Sequence, residues 1–291
     1  MRKKTFNRFC FAFVVCGLLA GLILPSSSFA GDIAVYGDSQ HDKAAHRKIV
    51  QRIASFKPSA VFRVGDIVND GNDPDLWKQF KDISKPLLST TVYYPALGNH
   101  ERNSPLYFDT FRSLNGRRWY SVDRDGIHFI VLDSNSSLRQ ESEQYNWLAS
   151  DLRSVKEDIK YKIALFHHPL FGVGEGHVAD EKGLKPVLLP LFREYGVSAV
   201  FSGHEHSYQR YEYDGIYFIV TGGGGSVLRP QIRNSPYLKK FKKVYHFCLL
   251  SPETDGLRVR VIDIDSNVID DFKISPSLRE QEAANIGDHA I

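Results

Sequence analysis

Val197-Ser198-Ala199-Val200-Phe201-Ser202-Gly203-His204-Glu205-His206 is a strand-like run that ends in a glycine and two histidines. Side chains alternate along an extended backbone, so His204 and His206 project to the same side of the chain. Neutral imidazole is a common ligand of zinc, iron and manganese, and the pair therefore indicates half of a metal site. Two ordinary surface or core histidines are the alternative, which only residues elsewhere in the chain can exclude.

The first thirty residues have the layout of an export signal. Four basic residues precede an uncharged, mostly apolar run at 9–24, and the small residues Ser28 and Ala30 follow it. We therefore predict a signal peptide at 1–30, export to the periplasm or the extracellular space, and no stable membrane association after cleavage. An uncleaved anchor is the alternative, although the apolar run is short for a membrane span of about 20 residues.

Removal of this leader changes the charge and the cysteine content. Four of the 37 basic residues and none of the 34 acidic residues lie in the leader, so the formal charge falls from +3 to −1. This balance gives no indication of nucleic acid as a structural partner. Cys10 and Cys16 leave with the leader, which excludes an intramolecular disulfide, and Cys248 is expected to be a buried strand thiol.

Helical and strand patterns alternate over most of the remaining chain and predict an α/β fold in one domain. Helices are expected at 41–56, 75–84, 105–113, 141–155 and 185–195. Strands are expected at 33–36, 60–64, 91–97, 119–122, 127–132, 162–166 and 197–200, and then at 211–221, 244–250, 257–263 and 268–274. The segment 222–243 is predicted to be a loop.

Five of the predicted strands end in side chains that bind metals well. Loops at the carboxyl ends of strands converge in an open α/β sheet, so these donors should meet. They are Asp38, Asp66, Asn99, His167, His204 and His206. Carboxylate, amide and imidazole together suit iron, manganese or zinc better than calcium, and six donors are enough for two ions, with Asp66 as the bridge.

The series of motifs resembles the calcineurin-like metallophosphoesterase superfamily, and its purple acid phosphatase branch most of all. The motifs are Gly37-Asp38, Gly65-Asp66, Gly98-Asn99-His100-Glu101, Phe166-His167-His168-Pro169 and Gly203-His204-Glu205-His206. The resemblance implies a four-layer α-β-β-α sandwich with two mixed sheets over residues 31–275. The residues at 276–291 are mostly polar, and we expect them to form a C-terminal tail. It also implies one metal held by Asp38, Asp66 and His206, and a second held by Asp66, Asn99, His167 and His204.

The same resemblance implies a phosphomonoesterase in which hydroxide, generated by the metals, attacks phosphorus in line with the leaving oxygen. Asp66 would bridge the metals, and His100 would bind phosphate and assist the leaving group. His177 and Arg210 are further candidates for substrate binding, with an exposed loop histidine and a structural ion pair as the respective alternatives. The expected partner is a small phosphate ester, whereas the oligomeric state stays open.

Two residues depart from the family pattern. Gln40 stands where many members have a histidine ligand, so we expect a weaker ligand there or completion of the first site by water or by His41. Asn69 stands where true purple acid phosphatases have the tyrosine that gives the colour. Two other functions remain open. A phosphodiesterase could use the same site, because cyclic nucleotide phosphodiesterases share these ligands, and Gln40 leaves open a non-catalytic phosphate-binding protein with a degenerate first metal site.

Overall fold

The computed structural model of the chain describes residues 31–275. The predicted signal peptide at 1–30 and the predicted tail at 276–291 lie outside the described residues. Thirteen strands are present within 31–275: β1 Ile33–Tyr36, β2 Ala60–Arg63, β3 Val92–Pro95, β4 Tyr120–Arg124, β5 Ile127–Val131, β6 Tyr161–Leu165, β7 Ala199–Ser202, β8 Tyr208–Tyr213, β9 Ile216–Thr221, β10 Leu238–Lys242, β11 His246–Glu253, β12 Gly256–Asp263 and β13 Val268–Ile274.

The five α-helices of the described residues start at good capping positions or prolines. They are α1 Lys43–Ser55, α2 Pro74–Leu88, α3 Pro105–Thr110, α4 Glu143–Arg153 and α5 Lys185–Glu194, and a 3₁₀ turn at Arg112–Leu114 follows α3. The Asp42 side chain accepts from the backbone N–H of Ala44 and Ala45 at the start of α1. At the start of α2, the Asp73 side chain accepts from the backbone N–H of Asp75 and Leu76. Such caps satisfy N–H groups that have no partner inside the helix.

The strands form two mixed sheets, as predicted. The first has the order β13-β12-β11-β1-β2-β3, in which β1, β2 and β3 are parallel and the other three strands are antiparallel to their neighbours. The second has the order β10-β8-β9-β7-β6-β5-β4, with β5, β6, β7 and β9 parallel. Each sheet thus has a parallel part, which is where donor-bearing strand ends come together.

Two apolar layers hold the sheets and helices together. Phe62 of the first sheet stacks on Phe129 of the second at a ring-centroid distance of 4.2 Å, so the sheets pack face to face. The neighbouring residue Ile130 belongs to a different cluster that includes the buried residues of α4 and α5, because side chains alternate along a strand. With α1 and α2 on the first sheet, this is the predicted α-β-β-α arrangement.

Three local predictions were wrong. The segment predicted as one strand at 211–221 is a hairpin of β8 and β9, which turns at Asp214 and Gly215 with φ of 58° and 76°. The predicted loop 222–243 contains the edge strand β10, which pairs with β8. Helix α2 continues past Ser84 and through Pro86 to Leu88, where the fully buried Leu87 anchors its last turn.

Cys248 lies fully buried in β11, as expected, and burial raises the pKa of its thiol to about 12. Within residues 31–275, no helix combines the length and the apolar character that a bilayer span requires.

Candidate metal centre

The six predicted donor side chains lie at the carboxyl ends of parallel strands from both sheets. Those from β1, β2 and β3 are Asp38, Asp66 and Asn99, and those from β6 and β7 are His167, His204 and His206. Packing the two sheets face to face brings the two groups together.

His167 is at the centre of one group of donors. Its Nε2 atom lies 2.9 Å from Asn99 Oδ1, 3.1 Å from His204 Nδ1 and 3.3 Å from Asp66 Oδ2. Two ligands of one ion with bonds of about 2.0–2.2 Å are separated by roughly such distances. These four side chains are therefore arranged as one coordination shell.

Asp38 and His206 form the other half of the cluster. Asp38 Oδ1 lies 3.6 Å from His206 Nε2, and ligand atoms of Asp38, Asp66 and His167 all lie within 4.8 Å of one another. Asp66 thus faces both groups, as a carboxylate between two ions must.

Backbone carbonyls orient two of the imidazoles. Nδ1 of His167 donates to Val64 O at 2.9 Å, and Nδ1 of His206 donates to Val227 O at 3.0 Å. Both rings therefore turn Nε2 toward the cluster, where a neutral ring would offer its lone pair to a metal, and this is how an outer partner orients a histidine ligand. His204 presents Nδ1 instead, and its buried Nε2 faces Glu181 Oε1 at 3.1 Å.

The electrostatics of the cluster fit a bound cation. Burial raises the pKa of Asp38 well above its ordinary value, and burial lowers the pKa of His206 to about 4. Burial also acts on His167, but the neighbouring Asp66 carboxylate outweighs it and raises the pKa of His167 to about 10. A proton on His167 thus supplies the positive charge that the two buried carboxylates require, and a metal ion would supply it more completely.

The backbone is strained at three of the candidate ligands. Asp38, Asp66 and His204 have φ of 57°, 49° and 70°, in the left-handed region that costs non-glycine residues about 1–3 kcal/mol each. Gly203, by contrast, is required by close approach and not by an unusual φ, because a methyl group there would overlap Asp38 Oδ2. The residue with left-handed backbone in this turn is therefore His204 and not Gly203.

The comparisons with known proteins agree with this geometry. A family model described as calcineurin-like phosphoesterase matches residues 31–208. The chain belongs to that family. Purple acid phosphatase 22 of Arabidopsis thaliana is 28% identical over 65% of this chain and 47% of its own length. A probable inactive purple acid phosphatase 1 of the same plant is 28% identical over 86% of this chain and 49% of its own.

A solved structure shows the same fold as this calcineurin-like phosphoesterase. The purple acid phosphatase PPD1 from yellow lupin (Lupinus luteus) seeds superimposes with a TM-score of 0.74 at 22% identity, over 86% of this chain and 54% of that one. The chain spans about half the length of the curated relatives named above.

The two histidines predicted to bind substrate, His100 and His177, lie beside the cluster of donors. Nδ1 of His100 donates to Asn69 O at 2.7 Å, which leaves Nε2 facing Asp66 Oδ2 at 3.8 Å. The ring of His177 lies 3.7 Å from that of His204, centroid to centroid, and its side chain is 22% exposed. His41 is exposed, with its ring 6.3 Å from that of His206.

Two other predicted residues are placed differently. Gln40 is buried and donates through Nε2 to Asp66 Oδ2 at 3.2 Å, while its oxygen accepts from Ser226, so that oxygen is already in use. Arg210 was expected to bind substrate, but its guanidinium bonds Asp270 and Glu212 and lies over Phe272. Arg210 therefore forms a structural ion pair, which was the alternative to substrate binding.

Glu101 supports the calcineurin-like site in a way that the sequence did not reveal. Its buried carboxylate accepts from the backbone N–H of Asp66, Ile67 and Gly98 at 2.9, 2.7 and 2.6 Å, and from Val68 at 3.3 Å. It thereby ties the loop after β2 to the loop after β3. Burial raises its pKa to about 7.

Two charged loop residues near the site were also missed. Glu181 Oε1 lies 3.1 Å from His204 Nε2 and 3.6 Å from His168 Nε2. Arg229 lies in the loop after β9, and its charge contributes, after burial, to the lowered pKa of His177. Neither residue directly follows a predicted strand, so no pattern in the sequence indicated them.

Proposed function

We propose that this chain is a phosphomonoesterase that acts with two metal ions, drawn from iron, manganese and zinc. The observation that carries the proposal is the convergence of donors from Asn99, His204 and Asp66 within 3.3 Å of His167 Nε2. Bound ions would polarise the phosphoryl oxygens and lower the pKa of a water molecule toward neutrality.

Side chains of this protein would hold the ions, bind the phosphoryl group and protonate the leaving oxygen. Asp38, Asp66 and His206 would hold one ion, and Asp66, Asn99, His167 and His204 the other. His100, fixed by its bond to Asn69 O, presents Nε2 to the substrate and can donate a proton to the leaving oxygen. His177, held beside His204, can hydrogen-bond a phosphoryl oxygen. Fixed donors of this kind stabilise charge on the transferred group without reorganising.

Hydrolysis of 4-nitrophenyl phosphate and of bis(4-nitrophenyl) phosphate tests the proposal. We expect the monoester to be preferred, chelation to abolish its hydrolysis, and manganese, iron or zinc to restore it. Preference for the diester would indicate the phosphodiesterase alternative. Phosphate binding without turnover in metal-loaded protein would indicate a non-catalytic protein, as the relative named probable inactive suggests.

We also propose that the chain is exported, because residues 1–30 have the order of charged, apolar and small residues that signal peptidase recognises. Mass spectrometry of the protein purified from a producing cell tests this. A chain that begins at Gly31 in the exported fraction is expected, whereas an intact residue 1 in the cell membrane would contradict it.

A further inference from the structure

A basic side chain, that of Arg229, lies at the edge of the metal centre, in the segment that follows β9. The backbone N–H of Arg229 donates to His206 O at 3.0 Å, and Val227 O accepts from His206 Nδ1 at 3.0 Å. The segment 227–229 therefore clamps the backbone and the ring of His206. Arg229 is held beside the centre by the same bonds.

The guanidinium of Arg229 is directed onto the loop that carries His177. A methyl group at Gly176 would overlap Arg229 Nη1, so the guanidinium packs directly on this glycine, whose φ is 90°. Nη1 also donates to Glu175 O at 3.4 Å. His177, the next residue of that loop, has its ring 6.3 Å from that of His206. Arg229 and His177 thus flank the same side of the centre.

Among residues 31–275, the charge of Arg229 has no carboxylate partner. Its Nε atom is buried without a hydrogen bond, and residues 31–275 place no carboxylate in an ion pair with its guanidinium. Glu181, an acid of the neighbouring loop, contacts His204 and His177 instead. Arg210, by contrast, forms ion pairs with the carboxylates of Glu212 and Asp270. A half-buried, unpaired guanidinium beside a phosphate site is suited to an anion that the substrate brings.

Two exposed valines, which carry no charge, lie on the segments beside Arg229. Val178 and Val227 are 68% and 63% exposed and present apolar surface on the two segments that hold Arg229. A second anionic group next to the reacting phosphoryl group would leave water and meet the guanidinium fork, which matches phosphate and carboxylate oxygens.

We propose that Arg229 binds a second anionic group of the substrate, so that the chain prefers phosphate esters and anhydrides that carry a further phosphate or carboxylate beside the reacting phosphoryl group. This inference rests on the proposed function and names the substrate class for the same site. A charge-assisted bond of this kind changes affinity by about tenfold to a hundredfold.

Matched substrates test the proposal in the full-length, metal-loaded protein. The two arms are 2-carboxyphenyl phosphate against phenyl phosphate, for a carboxylate, and pyrophosphate against phenyl phosphate, for a second phosphate. We expect Arg229→Gln to lower the kcat/KM preference for the substrate that carries the second anionic group about tenfold or more in at least one arm. Arg229→Lys keeps the charge without the fork and should lie between. Arg112→Gln, at an exposed arginine of the 3₁₀ turn, serves as the matched control and should keep the wild-type preference.

A preference that stays within twofold of wild type in both arms for Arg229→Gln would overturn the proposal while leaving the phosphatase function intact. If the metal-loaded wild type hydrolyses no ester at all, the proposed function fails, and calorimetry decides the inference. Pyrophosphate that binds the wild type about tenfold more tightly than Arg229→Gln supports the role of Arg229, and equal affinities exclude it. Should Arg229→Gln not fold, the same comparison is made with Arg229→Lys.

Discussion

Replacing Glu101 by glutamine should destabilise the loops of the metal centre although Glu101 is not itself a predicted ligand. Its Oε2 accepts from the N–H groups of Asp66 and Gly98, and its Oε1 from those of Ile67 and Val68. Glutamine keeps the shape but turns one of the two oxygens into a donor. Whichever way the amide is oriented, two buried N–H groups then face an N–H group.

The expected loss can be worked out from these contacts. A buried donor without a partner costs about 1–3 kcal/mol, so two of them cost about 2–6 kcal/mol. The amide avoids the penalty of ionising a carboxyl group whose pKa burial raises to about 7, and this offsets part of the loss. We therefore expect a net destabilisation of about 2 kcal/mol or more, which lowers the urea midpoint by about 1 M for a slope near 2 kcal/mol/M.

Urea unfolding of the chelated protein at pH 7.5 measures this loss, and titration with manganese or zinc measures metal affinity. The displaced loops carry Asp66 and Asn99, so the affinity should fall by about tenfold to a hundredfold. Glu157→Gln, at an exposed glutamate, is the matched control and should change neither quantity. An unchanged midpoint together with unchanged metal affinity in Glu101→Gln would refute the reasoning.

Two further predictions concern the fold and the site separately. His128 is bonded to Asp123 and Asp151 at 2.5 and 2.8 Å, and these carboxylates outweigh burial and raise its pKa above 6.5. The protonated ring therefore stabilises the fold fully below about pH 6.5 and loses this effect as the pH rises through the higher folded pKa. Urea unfolding should show a larger deficit for His128→Gln at pH 5.5 than at pH 9, and an equal deficit would contradict the assignment. Gly203→Ala should reduce metal content and phosphatase activity at least tenfold, because the new methyl group overlaps Asp38 Oδ2. The far-ultraviolet circular dichroism spectrum should stay native. Full metal content in this variant would contradict the prediction and show that the contact can relax.

The parts of the site that lie at strand ends could be predicted from the sequence. A strand end is visible as an apolar run followed by glycine and a polar residue, and parallel strands bring such ends together. This is why the sequence predicts donors at Asp38, Asp66 and Asn99 from one sheet and at the histidines from the other. The hairpin of β8 and β9 could also have been found, because Asp214-Gly215 in the middle of the segment is a turn signal.

The roles of Glu101, Arg229 and Arg210 depend on contacts that leave no periodic pattern in the sequence. Glu101 acts by accepting bonds from backbone N–H groups, which every residue except proline carries, so nothing in the sequence marks its partners. Arg229 reaches the site from a loop, and its position follows from the space above Gly176. Arg210 follows the His-x-His motif closely, but it lies in β8, which leads away from the centre to Asp270 of β13.

Elemental analysis of the purified full-length protein, beside Asp66→Asn, tests the central claim most directly. The side chain of Asp66 faces both groups of donors, so the account predicts two ions of iron, manganese or zinc per wild-type chain, fewer than one in the variant, and phosphatase activity that falls with them. A wild-type chain that is fully active without bound metal, or an Asp66→Asn variant that keeps both ions, would contradict it.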